Sequence, residues 1–236
     1  LRGMMVFPYM MVHLDAGREQ SISALEKAML VEDKHVFLVA QRDSDLEDPP
    51  MSDLYSVGTV AEVKHLMKLP DGAIRVLVEG LYRGQIVSAI EQEDDYLIAN
   101  VREYHDKIDK SIEMEALVRV VVHEFEQWVK SSKKIPADAM VSVSIIDDAG
   151  RLADMIAGHI NLKLDDRQAI LESIDVKERL ERLYGFLKRE KDILDIERKI
   201  GTRVRRQIEK VQKEYYLREK VKAIHNELGD QNGILG

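Results

Sequence analysis

Residues Val57 to Ile90, VGTVAEVKHLMKLPDGAIRVLVEGLYRGQIVSAI, decide the fold class. Short β-branched runs, Val57 to Lys68, Ile74 to Glu79 and Gln85 to Ile90, are separated by glycine-bearing breaks. The first break, Leu69-Pro70-Asp71-Gly72, carries an Asp-Gly pair that supplies the positive φ a tight reversal demands. The spacing therefore predicts an antiparallel hairpin, and a sheet around it.

Strand signals continue to either side. Met11 to Leu14 and His35 to Ala40 precede the hairpin, and Tyr96 to Tyr104 follows it, giving six candidate strands between Leu1 and about Tyr104. Between the first two, Arg18 to Leu30 sets Ile22, Leu25 and Met29 at helical spacing, so one short helix packs on the sheet. Asp43 to Tyr55, with Pro49-Pro50 and several acids, reads as an exposed loop.

From about Asp109 the period becomes helical. Ser111 to Lys130 places Met114, Leu117, Val118, Val121, Val122, Phe125 and Trp128 on one wide apolar stripe. Pro136 opens a further helix, as proline favours the first turn. Asp165 with Gln168, and Asp175 with Glu178, have the spacing of reciprocal N-terminal caps. Asp175 to Leu228 then runs without proline and with two glycines, Gly185 and Gly201. An unbroken helix of that length spans roughly 80 Å at about 1.5 Å per residue. Its apolar residues Ile193, Ile196, Ile200, Val204, Ile208, Val211 and Tyr215 follow steps of three and four. Leu217, Val221, Ile224 and Leu228 restart the pattern on a shifted face, a stutter. The whole is an α+β chain, strands first and helices after.

Composition narrows the chemistry. The 236 residues are 45% hydrophobic and 33% charged, which describes a globular chain. With no cysteine there is neither a disulfide framework nor a thiolate site, and a reducing, cytoplasmic compartment is expected. No apolar run reaches the roughly 18 residues of a membrane-spanning helix. Met4 to Leu14 is short, contains Pro8 and does not read as a signal peptide. The net charge of −8 is uneven: Asp175 to Leu228 holds 16 Lys and Arg against 11 Asp and Glu, and the rest holds 19 against 32.

No catalytic constellation is present. No Gly-Lys pair could form a phosphate-binding loop. In His123-Glu124-Phe125-Glu126-Gln127 a glutamine stands where a zinc-binding helix needs its second histidine. Ser131 and Lys134 have Ser-x-x-Lys spacing in a charged loop without the partner motifs.

Three groups of residues carry a resemblance to a known family. Leu1-Arg2-Gly3-Met4-Met5-Val6-Phe7-Pro8 with Gly17-Arg18-Glu19 resembles the start of Lon-type ATP-dependent proteases, and Leu69-Pro70-Asp71-Gly72 with Arg75 to Leu81 resembles their central hairpin. Leu152-Ala153-Asp154-Met155-Ile156-Ala157, Asp175-Val176-Lys177-Glu178-Arg179-Leu180 and Glu214 to Ile224 resemble their helical region, in family order and spacing. The resemblance implies a six-stranded, PUA-like β subdomain over residues 1–107, a helical subdomain over 108–174, and a long helix over 175–230 that leads to an ATPase module. Residues 231–236 depart from the pattern and read as a tail.

The resemblance also implies a hexameric protease that unfolds and degrades damaged or tagged proteins with ATP, magnesium and a Ser-Lys dyad, none of which these residues supply. The chain is thus expected to bind protein substrates and help its own subunits associate, with no cofactor and no metal of its own. Within the apolar, proline-broken run from Met4, flexible methionines suit promiscuous contact. Met5, Phe7, Tyr9 and Met10 are the candidate substrate-contact residues, with Tyr9 and Met10 the more exposed. Ile193, Ile196, Ile200, Val204, Ile208, Val211 and Tyr215 are the candidates for subunit association, on a projecting helical arm unless Gly201 breaks it. The alternative is a nucleic-acid-binding module using residues 198–222, where ten basic residues face three acidic ones.

Overall fold

A computed structural model describes residues 1–47, 49–91, 96–107, 109–132, 143 and 146–231. Strand β1 (Met11–Ala16) leads through helix α1 (Glu19–Ala28) to β2 (His35–Leu38), and a short 3-10 turn (Met51–Asp53) precedes β3 (Val57–Lys68), β4 (Ile74–Glu91) and β5 (Leu97–Tyr104). The helices are α2 (Ile112–Ser131), α3 (Ala149–His159), α4 (Leu164–Glu172) and α5 (Val176–Gln231). The start expected at Pro136, and Lys134, lie outside the described residues.

The sheet is antiparallel throughout, in the order β1-β4-β3-β2, with β5 on the remaining length of β4. The β3–β4 hairpin closes where the sequence placed it. Gly72 has φ +87°, its N–H donates to the Leu69 carbonyl at 3.1 Å, and Leu69 N–H donates to the Ala73 carbonyl at 2.8 Å. The strand count differs from expectation: five strands are observed among the described residues, because Ile74 to Glu79 and Gln85 to Ile90 belong to one 18-residue strand. The Gly80-Leu81 break does not end pairing. Ala61 opposes Gly80 and Val60 opposes Tyr82, so Leu81 is a bulged extra residue that bends β4 without releasing it from β3.

One face of the sheet supplies Leu14, Ala61, Val63, Ile74, Val76 and Val78 to a core completed by Val6 and by Leu25 of α1, and Ile22 of α1 and Met29 just after it pack against this core. The helices bury their own stripes: Met114, Val121, Phe125 and Trp128 from α2, Leu152, Ile156 and Ala157 from α3, and Leu180, Leu183 and Leu187 from α5. Phe125 and Trp128 stack with ring centroids 5.8 Å apart.

Of the two expected reciprocal caps, one forms in its Asp175 half, while the Glu178 carboxylate accepts from Arg182. Asp175 Oδ1 accepts from Lys177 N–H at 2.9 Å and Glu178 N–H at 3.3 Å and opens α5. Asp165 does not cap α4, which begins one residue earlier behind Lys163. Its carboxylate instead accepts the Tyr55 hydroxyl at 2.8 Å, and Gln168 is drawn inward to donate to the Val57 carbonyl at 3.0 Å. Tertiary bonds to Tyr55 and to β3 hold both side chains.

A buried charged cluster joins sheet to helices. Arg83 of β4 grips both carboxylate oxygens of Asp154 on α3 and donates its Nε to the Leu171 carbonyl of α4 at 3.0 Å. Arg179 of α5 donates to both oxygens of Asp106, just after β5, at 2.6 and 3.0 Å, and to the Ser173 carbonyl at 2.8 and 2.9 Å. Arg179 also reaches Asp154 at 3.5 Å. Gly150 admits this arrangement, since a Cβ there would sit 2.2 Å from Asp106 Oδ2. Lys107 N–H to the Ile174 carbonyl and Val176 N–H to the Lys107 carbonyl, each 3.2 Å, tie the end of β5 to the start of α5.

The chain divides into two compact units, Leu1–Lys188 and Arg189–Gly236. In the second, α5 is helical through Gly201, so that glycine does not break it. Thr202 Oγ1 donates to the Arg198 carbonyl at 2.9 Å beside it.

Two outcomes follow. Asp154→Ala strips two buried guanidiniums of an acceptor and should lower unfolding free energy by about 3–5 kcal/mol in urea titration. Gly201→Ala meets no atom within 4 Å and should stabilise the helix by up to about 1 kcal/mol, seen as higher far-UV helicity and later melting.

Candidate functional site

Residues Phe7 to Met10 make a tight reversal before β1. Met10 N–H donates to the Phe7 carbonyl at 3.2 Å, Pro8 takes the second position, and Tyr9 takes the third with φ +65°. That is the pattern of a type II turn, whose third position favours glycine or asparagine. Tyrosine there carries a steric cost on the order of 1–2 kcal/mol.

The surroundings hold the turn in place. Tyr9 N–H donates to the Gly80 carbonyl at 2.7 Å, and Gly80 N–H donates to the Met10 carbonyl at 2.8 Å. The approach is so close that a Cβ on Gly80 would lie 2.3 Å from the Phe7 carbonyl oxygen. Behind it, Thr59 Oγ1 donates to the Val6 carbonyl at 2.6 Å, and Arg167 of α4 donates to the Met5 carbonyl at 3.3 Å while lying over the Phe7 ring.

These contacts separate the four candidate contact residues. Met5 and Phe7 are 4% and 0% exposed and fill the interior, which corrects the expectation that they reach a substrate. The physical reason is the pinned extended segment, which turns both side chains away from solvent. Tyr9 is 45% exposed, with the guanidinium of Arg151 on α3 at 5.0 Å from its ring centroid. Met10 is half-buried: its sulfur accepts Phe7 N–H at 3.3 Å, and it packs where a Cβ on Gly158 of α3 would touch it at 3.1 Å. Partial burial raises the Tyr9 phenol above its ordinary pKa, and the carboxylates of Asp148, Asp154 and Asp106 add to this against Arg151. At neutral pH the phenol, like any tyrosine, is a hydrogen-bond donor.

Sequence reading missed Arg151 and the bulge residue Leu81, which is half-exposed next to the Gly80 staple. It also missed the charged cluster beneath. A signal existed there, because Asp154 interrupts an otherwise apolar run and Arg179 falls on the face that carries Val176, Leu180 and Leu183.

The turn is a small platform with an aromatic face, a cation and a flexible thioether, suited to holding apolar and aromatic side chains. Among the described residues no group of three or more His, Asp or Glu has metal-site geometry, and no helix is long and apolar enough to cross a membrane. In the second unit, the seven residues from Ile193 to Tyr215 are all exposed, by 42 to 67%.

Comparison with known proteins places this geometry. Residues 1–189 match the family model of the ATP-dependent protease La (LON) substrate-binding domain. The Lon protease of Desulforamulus reducens is 52% identical over 218 residues, covering 92% of this chain and 27% of the relative, and Lon protease 1 of Bacillus subtilis is 48% identical over all 236, covering 30% of the relative. The chain thus spans less than a third of the length of these relatives. Among solved structures, the N-terminal domain of Mycobacterium avium complex Lon protease superposes with a TM-score of 0.65 at 22% identity, covering 80% of this chain and 95% of that one. A Lon N-terminal domain protein from Xanthomonas campestris gives 0.53 at 14%, covering 78% and 93%, and both likenesses speak to fold alone. With a family model matched over four-fifths of its length and relatives near half identical, the chain belongs to the Lon protease substrate-binding domain family.

Proposed function

We propose that this chain recognises unfolded or tagged protein substrates for an ATP-dependent serine protease and helps its copies assemble, while the chemistry resides in sequence outside these residues. The observation that carries the reading is the Tyr9 turn: a large aromatic residue is kept half-exposed in a backbone conformation that glycine would adopt at lower cost. Residues held in such strained conformations, where the surrounding structure over-determines them, concentrate at ligand clamps. Tyr9, with Met10 and Arg151 beside it, would receive apolar and aromatic side chains of a disordered segment.

Assembly rests on the second unit. A single amphipathic helix in water gains most of its stability from burying its apolar face. The exposed stripe from Ile193 to Tyr215 would gain that burial from other copies of the chain, which in the assembled protease are its neighbouring subunits. ATP and magnesium would serve the remainder of such a protease, and no cofactor is assigned to this chain.

Three outcomes are expected. Tyr9→Gly should keep stability within about 1 kcal/mol, since the lost Arg151 contact and the relieved backbone oppose each other, while binding of an unfolded model protein weakens. Unchanged binding in a titration followed by fluorescence anisotropy would remove the turn from recognition. Purified alone, the chain should show no nucleotide hydrolysis and no casein cleavage above a matched blank. Ile200→Asp with Ile208→Asp should abolish self-association in sedimentation velocity without altering the melting of the β region.

A further inference from the structure

The stripe on the second unit repeats at eleven residues, Ile193 to Val204 to Tyr215, with steps of three and four between. An eleven-residue repeat keeps a seam on one side of a nearly straight helix, here about 33 Å long. Its margins carry more cations than acids: Lys199, Arg203 and Lys210 with Glu214 along one, and Arg198 and Arg205 with Glu197 and Glu209 along the other. Residues 198–213 carry seven Lys and Arg against Glu209 alone. A stripe–stripe pair between two copies would set two surfaces of net positive charge against each other, which opposes pairing. The natural occupant is an apolar helix face with acidic margins.

The first unit carries such a face. On α2, opposite the buried Met114, Val121, Phe125 and Trp128, the residues Ile112, Ala116 and Val120 form an exposed strip, with Ile112 86% and Val120 45% exposed. Glu115 and Glu126 line one margin, Glu113 and Glu124 the other. Arg119 is paired with Glu115, Lys177 reaches Glu113 at 2.9 Å, and His123 sits on the strip. The helix is about 30 Å long, close to the length of the cationic stripe. The charge of the units agrees: Leu1–Lys188 holds 23 Lys and Arg against 34 Asp and Glu, whereas Arg189–Gly236 holds 12 against 9.

We infer that the outer face of α2 in one copy docks on the Ile193–Tyr215 stripe of another, a head-to-tail contact between acidic and basic helix faces. Head-to-tail contacts of this kind close into a ring where the rotation between copies closes, and run on as an open filament where it does not. The inference rests on the proposed role of the stripe in assembly and names its partner surface.

Charge reversal on the whole chain tests it. Glu115→Lys with Glu126→Lys, and separately Arg203→Glu with Lys210→Glu, should each weaken self-association about tenfold or more in low-salt sedimentation velocity, with unchanged far-UV spectra. An equimolar mixture of the two variants should regain association, because each then offers the other a complementary face. If the α2 variant associates like the wild type while Ile200→Asp with Ile208→Asp does not, the stripe assembles through another surface and this docking is wrong. A wild type that stays monomeric and instead binds a duplex oligonucleotide would overturn both the docking and the assembly reading.

Discussion

The fold of the first unit depends on a buried pair of guanidiniums. Arg83 and Arg179 come from a strand and from the longest helix, and between them they bind Asp154, Asp106 and the carbonyls that end α4. Charges removed from water are costly unless every polar atom finds a partner, so the cluster tolerates one arrangement of β4, α3, α4 and α5 and penalises the others. Burial pushes the Asp154 carboxyl up from the usual carboxylate range, and the two guanidiniums hold it against that tendency. These bonds hold β4, α3, α4 and α5 in one register.

That register explains the turn at Tyr9. The turn rests on Gly80 of β4 on one side and on Arg151 and Gly158 of α3 on the other, and the same two elements are joined by Arg83 and Asp154. A strained residue can persist only where its neighbours are themselves fixed. The candidate contact residue is therefore supported by the charged cluster beneath it, and Met5 and Phe7 serve the same support from inside the core.

The second unit follows a different logic. Its stripe residues from Ile193 to Tyr215 are exposed, cations outnumber acids along the stripe's margins, and Gly201 adds backbone freedom without interrupting the helix. The apolar period changes face between Tyr215 and Leu217, so one straight partner helix cannot serve both stripes.

Local and periodic features were legible in the sequence: the Asp-Gly hairpin, the shift from strand to helical period near Asp109, the cap at Asp175, and the stripes of α2 and α5. Each depends on neighbours a few residues away, where the chain's own geometry decides. What only the tertiary structure decided was the outcome of competition between distant groups. Two expected strands became one because β3 keeps pairing across Gly80 and Leu81. Asp165 gave up a cap for the hydroxyl of Tyr55, 110 residues away. Met5 and Phe7 went inside while Tyr9 stayed out because Thr59, Gly80 and Arg167 hold the backbone between them. Apolar composition cannot separate a core methionine from a contact methionine, since burial is set by which remote surface arrives to cover it.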